Sequence, residues 1–264
     1  MGSEMCIRDR SKIRDIPLEE IDDFPDHPFK VREDEDMFQL VESIKERGVI
    51  TPATVRQKED GRYELISGHR RKRACELAGF ETLRCEVVDL DRDEAIILMV
   101  ESNYQRSQIL PSEKAFAYKM KAEALAHQGW RSDLTSCQVG EKLRTDEQIA
   151  ADANDSARQV QRYIRLTNLI PEILQYVDEG RISFTPAVEL SYLNEVEQQD
   201  LLEKIEENYC TPSLSQACRF KKISQAEGLT PEVIAEIMEE EKANQKERVK
   251  IPTEKLRKYF PKDY

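Results

Sequence analysis

The sequence predicts a mixed α+β fold, in which a small α/β domain precedes an all-α helix-turn-helix domain and a helical C-terminal extension. Strand-like and helix-like patterns alternate along the first part of the chain, and the strand-like patterns largely disappear after Pro111. Two helix-start signals then follow closely, at 145–148 and 156–159, with Asn154 between them. A chain of 264 residues is long enough for two such domains.

Short runs of apolar residues between turn residues predict the strands of the α/β domain. The predicted strands are Ile13–Ile16, Ala53–Gln57, Tyr63–Ile66 and Leu83–Val88. The first strand leads into an acidic linker. Asp60 and Gly61 predict a hairpin turn between the second and third strands, because this pair adopts the backbone conformation of a tight turn.

Apolar residues at helical spacing predict the helices of the same domain. One helix is marked by Met37, Leu40, Val41 and Ile44 and ends at Gly48. A second follows Ser67-Gly68-His69 and ends at Gly79, with an apolar side formed by Ala74, Leu77 and Ala78. A third begins at Asp93.

The all-α part is predicted from helix caps and apolar stripes. Thr145 and Ser156 are each followed three residues later by glutamine, which is typical of a capping box. We expect three later helices to open at Thr-Pro pairs, at 185–186, 211–212 and 230–231. Their predicted core residues are Ile173, Leu174, Val177, Leu201, Leu202 and Ile205.

These patterns divide the chain into four segments. We expect residues 1–11 to be a non-native or disordered preface, since they show no periodicity. Residues 12–107 form the α/β domain, 108–194 the helix-turn-helix domain, and 195–264 a helical C-terminal region.

Composition excludes several classes of protein. The longest apolar run, Ala95–Val100, is far shorter than the roughly 20 residues that a membrane span needs. The six cysteines form no C-x-x-C pair, so neither a zinc site nor a disulfide framework is indicated, and a reducing cytoplasm fits best. Because the net charge is −12, any contact with DNA must come from local basic faces.

The start of the second helix is a candidate phosphate site. Gly68 lets an anion approach the backbone, and the helix that follows presents free N–H groups. Four cationic side chains come next, at residues 70–73. Arginine can engage phosphate oxygens with two hydrogen bonds. The alternative is an exposed basic turn on a helix that packs through its apolar side.

Two motifs, in the same order along the chain, resemble motifs of the ParB family of partition proteins. Gly68-His69-Arg70-Arg71-Lys72-Arg73-Ala74 resembles the family motif G-E-R-R-x-R-A. Asn103-Tyr104-Gln105-Arg106, followed by Leu110-Pro111-Ser112-Glu113-Lys114-Ala115, resembles E-N-x-Q-R-x-x-L-x-P-x-E-x-A. The resemblance covers roughly 13–194 and includes the helix-turn-helix, whereas residues 24–28 match the first motif, N-P-x-Q-P-R, weakly.

The resemblance implies a protein that binds CTP with Mg²⁺ and closes as a clamp on a palindromic, centromere-like DNA site. The implied nucleotide-binding residues are Ser67, Gly68, His69, Arg70, Arg71, Asn103 and Arg106, and Asn103 is also the implied metal ligand. The implied partners are double-stranded DNA, a Walker-type partition ATPase and a second copy of the chain, as a homodimer or through DNA-dependent self-association. The implied location is the cytoplasm, on the nucleoid or on a plasmid or other mobile element.

Three departures from the family pattern bear on catalysis. His69 replaces the glutamate of the first arginine motif, Ser102 replaces the glutamate before Asn103, and Phe29 stands where arginine is usual. Carboxylates commonly position a hydrolytic water or support a metal ion. The sequence therefore favours nucleotide binding over turnover, with at most weak CTP hydrolysis, and it indicates no catalytic residue.

The second predicted helix of the helix-turn-helix carries the candidate DNA contacts. Val160, Tyr163, Ile164 and Thr167 share one side, which leaves a polar stripe without an acidic residue on the other. Arg and Gln match the hydrogen-bonding edges of guanine and adenine in the major groove. The candidate DNA-binding residues are Thr145, Gln148, Ser156, Arg158, Gln159, Gln161, Arg162 and Arg165. The alternative is an ordinary helical hairpin with a polar face.

Two other functions fit parts of the sequence. A helix-turn-helix transcriptional regulator would need no nucleotide site. A sulfiredoxin-like phosphotransfer enzyme would need a nucleophilic cysteine beside the phosphate helix, and the nearest cysteine is Cys75, beyond the first turn. The basic segment Arg219–Lys222 is read equally as a phosphate contact or a solvated corner. The family commonly ends in a dimerisation domain, whereas this sequence stops at residues 258–264 without a recognisable one. We therefore expect that domain to be missing, truncated or unrecognisable here.

Overall fold

A computed structural model describes residues 12–104, 109–133 and 145–240. It divides the chain into two compact units with the boundary after Gly180. The first unit contains a five-stranded sheet and seven α-helices among its described residues, and the second contains four α-helices among its own. The predicted α+β fold class is confirmed.

The sheet has the strand order β1-β5-β3-β4-β2. Its strands are β1 (Lys12–Pro17), β2 (Ile21–Asp23), β3 (Ala53–Gln57), β4 (Tyr63–Ser67) and β5 (Thr82–Val88). Strands β1 and β5 pair antiparallel, as do β3 and β4, whereas β3 runs parallel to β5 and β2 parallel to β4. The predicted hairpin at Gly61 is confirmed, and its φ of 85° is one that glycine adopts without strain.

Strand β2 lies within the segment that the sequence suggested was only an acidic linker, so that expectation was wrong. A short 3-10 helix, Leu18–Glu20, leads into it. Ile21 is buried, whereas Asp22 and Asp23 are not, so three residues give too little alternation to predict a strand. The strand forms because it pairs with Tyr63–Leu65 of β4, a partner far away in sequence.

The helices of the first unit begin with three in the sheet domain. These are α1 (Glu35–Arg47), α2 (His69–Ala78) and α3 (Arg92–Asn103). Four more follow: α4 (Pro111–Asp133), α5 (Thr145–Ala153), α6 (Ala157–Leu166) and α7 (Pro171–Asp178). Gly48 and Gly79 end α1 and α2, as predicted.

Local capping explains several of these boundaries. Asp34 caps α1 by accepting a hydrogen bond from the Met37 amide, and Asp91 forms a reciprocal capping box with Glu94 at α3. Ser156 caps α6 through the Gln159 amide, as predicted. Thr145 is instead the first residue inside α5, so its predicted role as the cap was wrong.

The core of the sheet domain consists of apolar residues from the sheet and from α1 and α2. Fully buried members include Met37, Ala53, Val55, Leu65, Leu83 and Cys85. Helix α2 packs through Ala74 and Cys75, whereas Leu77 remains 39% exposed. The predicted apolar side of α2 was therefore wrong at Leu77, because the helix turns Cys75 toward the sheet instead.

The second unit consists of α8 (Phe184–Leu190), α9 (Glu195–Asn208), α10 (Leu214–Ala226) and α11 (Pro231–Glu239). The Thr-Pro starts were right only at α11, where Thr230 is the N-cap. Ser183 caps α8 and Ser213 caps α10, since each precedes the first residue with helical geometry. The predicted core residues of α7 and α9 are all buried.

Across the described parts of both units, each helix is too short or too polar to cross a lipid bilayer. Cys75, Cys85, Cys210 and Cys218 are free thiols, and the other two cysteines lie outside the described residues.

Candidate nucleotide and DNA sites

The start of α2 depends on the backbone of Gly68. This residue has a φ of 110°, in the left-handed region, and its Cα lies against β3. A Cβ added here would lie 2.8 Å from the Cβ of Ala53 and 3.2 Å from the Ala53 Cα. The position therefore requires glycine both for its backbone conformation and for the close approach of the two strands.

Arg71 is directed toward the loop that precedes β3. Its guanidinium donates to the carbonyl of Thr51 at 2.8 Å and also to the carbonyl of Pro52. Desolvation of the half-buried guanidinium lowers the pKa of Arg71 from its ordinary value, although an arginine remains charged at neutral pH. Arg71 thus joins the start of α2 to the neighbouring loop.

The other three cations of this turn are paired with acidic side chains of the same domain. Arg70 donates to the Asp34 carboxylate at 3.3 Å, and Lys72 donates to the Asp23 carboxylate at 2.8 Å. Arg73 donates to Glu33 at 2.6 Å and to Glu76 at 3.0 Å. All of these acidic residues except Glu76 belong to the segment 23–34, which therefore partly neutralises the candidate phosphate site.

His69 lies face to face with a second imidazole. The ring centroids of His69 and His27 are 3.7 Å apart, with an angle of 34° between the planes, and His27 also meets the edge of Phe29. A cleft of about 260 Å³ opens beside this pair. It is lined by Asp23, His27, Val31, Glu33, His69, Lys72, Arg73 and Glu76. The cleft places cationic and imidazole groups beside the first turn of α2.

Asn103 lies at the end of α3 and offers an oxygen ligand. Its amide nitrogen donates to the Met99 carbonyl at 2.8 Å, so the amide oxygen is the atom that can face a hard cation. Ser102 also donates to Met99, and the Glu101 carboxylate accepts from Lys121 at 2.8 Å. Ser102 therefore supplies no carboxylate before Asn103, and one carboxylate oxygen of the neighbouring Glu101 is engaged by Lys121.

The residues present fit Mg²⁺ only as a partner of a bound triphosphate. Within the described residues, His, Cys, Asp and Glu side chains form no group of three that could hold a metal ion. Mg²⁺ commonly keeps waters and takes its remaining ligands from phosphates and one or two protein oxygens. Asn103 could supply one such oxygen, whereas Arg106 lies outside the described residues.

Cys75 is not placed as an accessible nucleophile. Its side chain is fully buried in the core beneath α2, and burial raises the pKa of its thiol above the ordinary value. Because the thiolate is the reactive form, this environment disfavours nucleophilic attack. The position of Cys75 therefore weighs against a sulfiredoxin-like phosphotransfer reaction.

Helices α5 and α6 form the helix-turn-helix, with a left-handed turn residue, Asn154 (φ 55°), between them. Val160 and Leu166 of α6 are fully buried, and Ile149 of α5 is buried in the same core as Val160. The apolar side of α6 is therefore fixed inward, and its polar residues lie on the remaining surface.

The candidate DNA-binding residues occupy different environments on this surface. Arg158 and Gln161 are exposed on α6, and Gln148 is exposed on α5. Gln161 donates to the carboxylate of Asp146 on α5 and also lines a groove beside that helix. The half-buried members are Thr145, Gln159, Arg162 and Arg165.

Arg162 and Gln159 form a pair on the outer surface of α6. A guanidinium nitrogen of Arg162 donates to the side-chain oxygen of Gln159 at 3.2 Å. This contact orients the Gln159 side chain along the helix. The backbone N–H of Gln159 donates to the Ser156 hydroxyl. Arg158 and Arg162, one turn apart, therefore present guanidinium groups on adjacent parts of the surface.

The basic segment Arg219–Lys222 lies within α10 of the second unit, and its charged side chains have partners in the same unit. Arg219 pairs with Glu240, and Lys221 pairs with Glu189 at 2.9 Å and lies over the Tyr192 ring. Phe220 is fully buried. These contacts within the unit weigh against the predicted phosphate contact.

Several residues of these sites were not identified from the sequence alone. They are the acidic partners of α2 and the buried Lys121. The acids occur in an irregular segment whose composition suggested only a linker. The position of Lys121 in its helix gives no sign that the side chain is buried. Its pairing with Glu101 and Asp152 becomes visible only in the folded structure.

Comparison with known families identifies two domains. Residues 6–104 match the ParB N-terminal domain, and residues 139–212 match the ParB HTH domain. The chromosome-partitioning protein Spo0J of Thermus thermophilus is 33% identical over 168 residues, which cover 64% of this chain and 55% of that protein. The chain thus spans about half the length of the curated relatives that it matches.

Two solved structures of C-terminally truncated ParB from Caulobacter crescentus also align with the chain. The one complexed to the centromeric parS site is 25% identical, covers 79% of this chain and 98% of that chain, and has a TM-score of 0.47. The one complexed with CTP-γ-S is 28% identical, covers 73% of this chain and 98% of that chain, and has a TM-score of 0.33.

Proposed function

We propose that this chain, which belongs to the ParB family through its ParB N-terminal and ParB HTH domains, is a DNA-binding partition protein controlled by CTP. The single observation that carries the proposal is the order of the two domains, each with a basic surface at the position where its ligand would bind. These surfaces are the start of α2 in the first domain and the outer side of α6 in the second.

The nucleotide part of the proposal rests on the start of α2. Gly68 leaves the backbone accessible, and the first amides of α2 point out of the helix end. Lys72 and Arg73 line the cleft, and Arg70, on the same turn, pairs with Asp34. A triphosphate would exchange the carboxylates of Asp23, Glu33 and Asp34 for its own oxygens as partners of these cations. When bound, Mg²⁺ would neutralise charge on the triphosphate, and Asn103 would contribute an oxygen to it.

Turnover is not part of the proposal. The positions that carry glutamate in the family motifs hold His69 and Ser102, and the neighbouring Glu101 is engaged by Lys121. Neither position that carries the family's glutamate therefore supplies a carboxylate to position a hydrolytic water beside the nucleotide. We infer that CTP acts as a ligand whose binding changes the protein, with at most weak hydrolysis.

The DNA part of the proposal rests on α6 as the recognition helix. Its N-terminal turn carries Arg158 and Gln159, and Arg162 follows one turn later. In helix-turn-helix proteins the N-terminal residues of the second helix reach base edges, while the first helix crosses the backbone. We assign Arg158, Gln159 and Arg162 to base contacts and Arg165 to a phosphate contact.

A binding experiment with the full chain tests both parts. CTP, ATP, GTP and UTP are titrated separately with Mg²⁺, and palindromic DNA selected from a random library is titrated with and without CTP. We expect binding of CTP in preference to the other nucleotides, and CTP-dependent retention on closed circular DNA. If the chain selects a DNA sequence but binds none of the four nucleotides, the CTP part of the proposal is wrong and the DNA part holds.

One specific observation favours a second candidate function, a transcriptional regulator without nucleotide control. Arg70, Lys72 and Arg73 already have carboxylate partners, so the start of α2 is electrostatically satisfied without a ligand. The titration above distinguishes the two functions, because a regulator binds its operator with equal affinity whether or not CTP is present.

We also infer two protein partners from the family. One is a Walker-type partition ATPase, and the other is a second copy of this chain, joined as a homodimer or on DNA. A palindromic site has two-fold symmetry, which a symmetric dimer matches. Sedimentation velocity with and without the selected palindrome measures the self-association, with two chains per palindrome as the expected result.

A further inference from the structure

His27 and His69 form a pair of stacked imidazoles on the wall of the cleft beside α2. Their ring centroids are 3.7 Å apart, and both residues line the cleft. Both positions also depart from the family motifs. His69 replaces the glutamate of G-E-R-R-x-R-A, and His27 falls at the glutamine of the weakly matched N-P-x-Q-P-R. This chain therefore has two titratable rings in contact where the motifs have one carboxylate and one amide.

The fixed charges around the pair leave the cleft slightly negative. Three carboxylates and two cations line it, which is an excess of one negative charge when both imidazoles are neutral. These charged residues are Asp23, Glu33, Lys72, Arg73 and Glu76. Next to the two histidines in the chain, Asp26 adds a further carboxylate, and Arg70 is paired with Asp34. A triphosphate at this cleft is therefore favoured by any group that can become positive there.

The imidazoles are the groups that can supply this charge. Among the described residues that line the cleft, only these two gain a positive charge close to neutral pH, because an unperturbed histidine titrates at about pH 6.5. His69 is the first residue of α2, where the positive end of the helix dipole disfavours the imidazolium. A phosphate bound at the same helix end offsets this effect with its negative charge. Protonation of the pair and binding of a triphosphate thus favour each other.

The stacking limits the pair to one proton. Both residues are half-buried, and the Nε2 atom of each ring is shielded from solvent. Two imidazolium charges on rings 3.7 Å apart would repel each other strongly where water screens them poorly. Such a pair titrates as a unit, so the proton belongs to the pair and not to either ring alone.

We propose that the pair of His27 and His69 takes up one proton from solvent when a triphosphate binds, so that nucleotide affinity depends on pH. The complex then holds more protons than the free protein does. Affinity is highest below the pH range in which the free pair titrates, and it falls until the pair in the complex has also lost its proton. This inference rests on the proposed binding of CTP, and its test separates the two.

Calorimetric titration of the full chain with CTP and Mg²⁺ measures the proton uptake. The heat of binding is compared at about pH 7 in PIPES and in ACES, two buffers that differ in ionisation enthalpy, and the affinity is measured at about pH 6 and pH 8. For the wild type we expect uptake of about 0.5–1 proton and an affinity about tenfold higher at the lower pH. Because the terminal phosphate of the nucleotide can also titrate, the variants are compared under identical conditions.

Two variants assign the proton to the pair. The double variant His27→Gln, His69→Gln replaces both rings by polar side chains that cannot become charged. We expect its affinity to change less than about threefold between the same two pH values. His127→Gln is the matched control, because His127 is the third histidine of the chain and lies on α4, outside the lining of the cleft. It should retain the proton uptake and the pH dependence of the wild type.

NMR of the wild type gives a second readout, which decides the matter if the double variant fails to fold. The Cε1–H resonances of the three histidines are followed as a function of pH with and without saturating CTP and Mg²⁺. We expect CTP to move the titration midpoint of the pair upward by about one pH unit and to leave that of His127 unchanged.

The outcomes separate the inference from the function on which it rests. If the wild type binds no CTP at either pH, the proposed nucleotide function fails and the role of the pair fails with it. If CTP binds without proton uptake, or with equal uptake in the wild type and the double variant, the role of the pair is overturned and CTP binding stands. A midpoint of the pair that CTP does not move overturns it as well.

Discussion

Gly68 and Ala53 approach each other so closely that a Cβ on the glycine would lie 2.8 Å from the Ala53 Cβ. The approach follows from the pairing of β3 with β4, in which Thr54 lies opposite Ser67 and the register shifts at the next residue. The turn into α2 therefore passes directly over the start of β3. This contact fixes where the first amides of α2 are presented.

Substitution of Gly68 by alanine should be unusually costly for a single methyl group. The left-handed backbone contributes about 1–2 kcal/mol and the clash with Ala53 about 1–3 kcal/mol, so the free energy of unfolding should fall by about 2–5 kcal/mol. Urea denaturation followed by circular dichroism measures this loss. Affinity for CTP should fall as well, because the helix end must shift.

Gly79→Ala is the matched control for this substitution. Gly79 also has a positive φ, 80°, but a Cβ added there would meet nothing within 4 Å. Only the conformational cost of about 1–2 kcal/mol is then expected. Equal losses for the two variants would show that the contact with Ala53 is unimportant.

Sequence patterns identified the glycines at these turns but not what surrounds them. Gly48, Gly61 and Gly79 are predictable because each ends or turns an element whose residues are adjacent in the chain. The pairing of Arg73 with Glu33 is not, because it joins residues 40 positions apart in sequence. Local periodicity carries no information about such a contact, which depends on the packing of the irregular segment 23–34 against α2.

The acidic segment beside α2 should compete with the triphosphate. Glu33→Gln removes the carboxylate that accepts two hydrogen bonds from Arg73, and the affinity for CTP should rise about two- to fivefold, since an exposed ion pair contributes at most about 1 kcal/mol. Calorimetric titration at low and high salt measures the change, which should shrink as salt rises.

Glu46→Gln is the control for the change in net charge. Glu46 lies near the end of α1 and does not line the cleft, and it pairs with the neighbouring Arg47 at 4.0 Å. Its substitution should leave CTP affinity unchanged. A similar rise in both variants would mean that net charge, and not the release of Arg73, governs the binding.

The outer surface of α6 should determine DNA affinity without affecting the nucleotide. Arg158→Ala and Arg162→Ala should each weaken specific DNA binding by about 1–3 kcal/mol, because each removes a guanidinium that can pair with a base edge. Fluorescence anisotropy with the selected palindrome measures the loss, and CTP affinity without DNA should be unchanged.

Arg84→Ala controls for the loss of one positive charge at a distance. Arg84 is exposed on β5, in the sheet, and its removal should change DNA affinity by less than threefold. Arg71 is unsuitable as the nucleotide counterpart of these variants, because its contacts with Thr51 and Pro52 make its substitution a change in the fold as well. If DNA affinity falls equally in Arg158→Ala, Arg162→Ala and Arg84→Ala, α6 is not the recognition helix.

The buried thiols should make the stability of the sheet domain fall at high pH. Burial raises the pKa of Cys85 to about 12 from an ordinary value of 9.0, the nearby Arg71 guanidinium opposes the shift, and the pKa of Cys75 is raised as well. Because the folded protein holds these protons more tightly than the unfolded chain does, their contribution to stability is complete below pH 9. It is lost as the pH rises from 9 toward 12.

Urea denaturation at pH 8 and pH 11 measures this effect when the wild type is compared with Cys85→Ala. The wild type should lose about 3 kcal/mol more than the variant over this interval, because the Cys85 thiol of the unfolded wild type ionises over the two pH units above 9 while that of the folded protein does not. Cys210→Ala serves as the control, because Cys210 is only half-buried and its substitution should leave the pH dependence of the wild type intact. A pH dependence that is the same in all three proteins would show that the Cys85 thiol ionises as readily in the folded domain as in the unfolded chain.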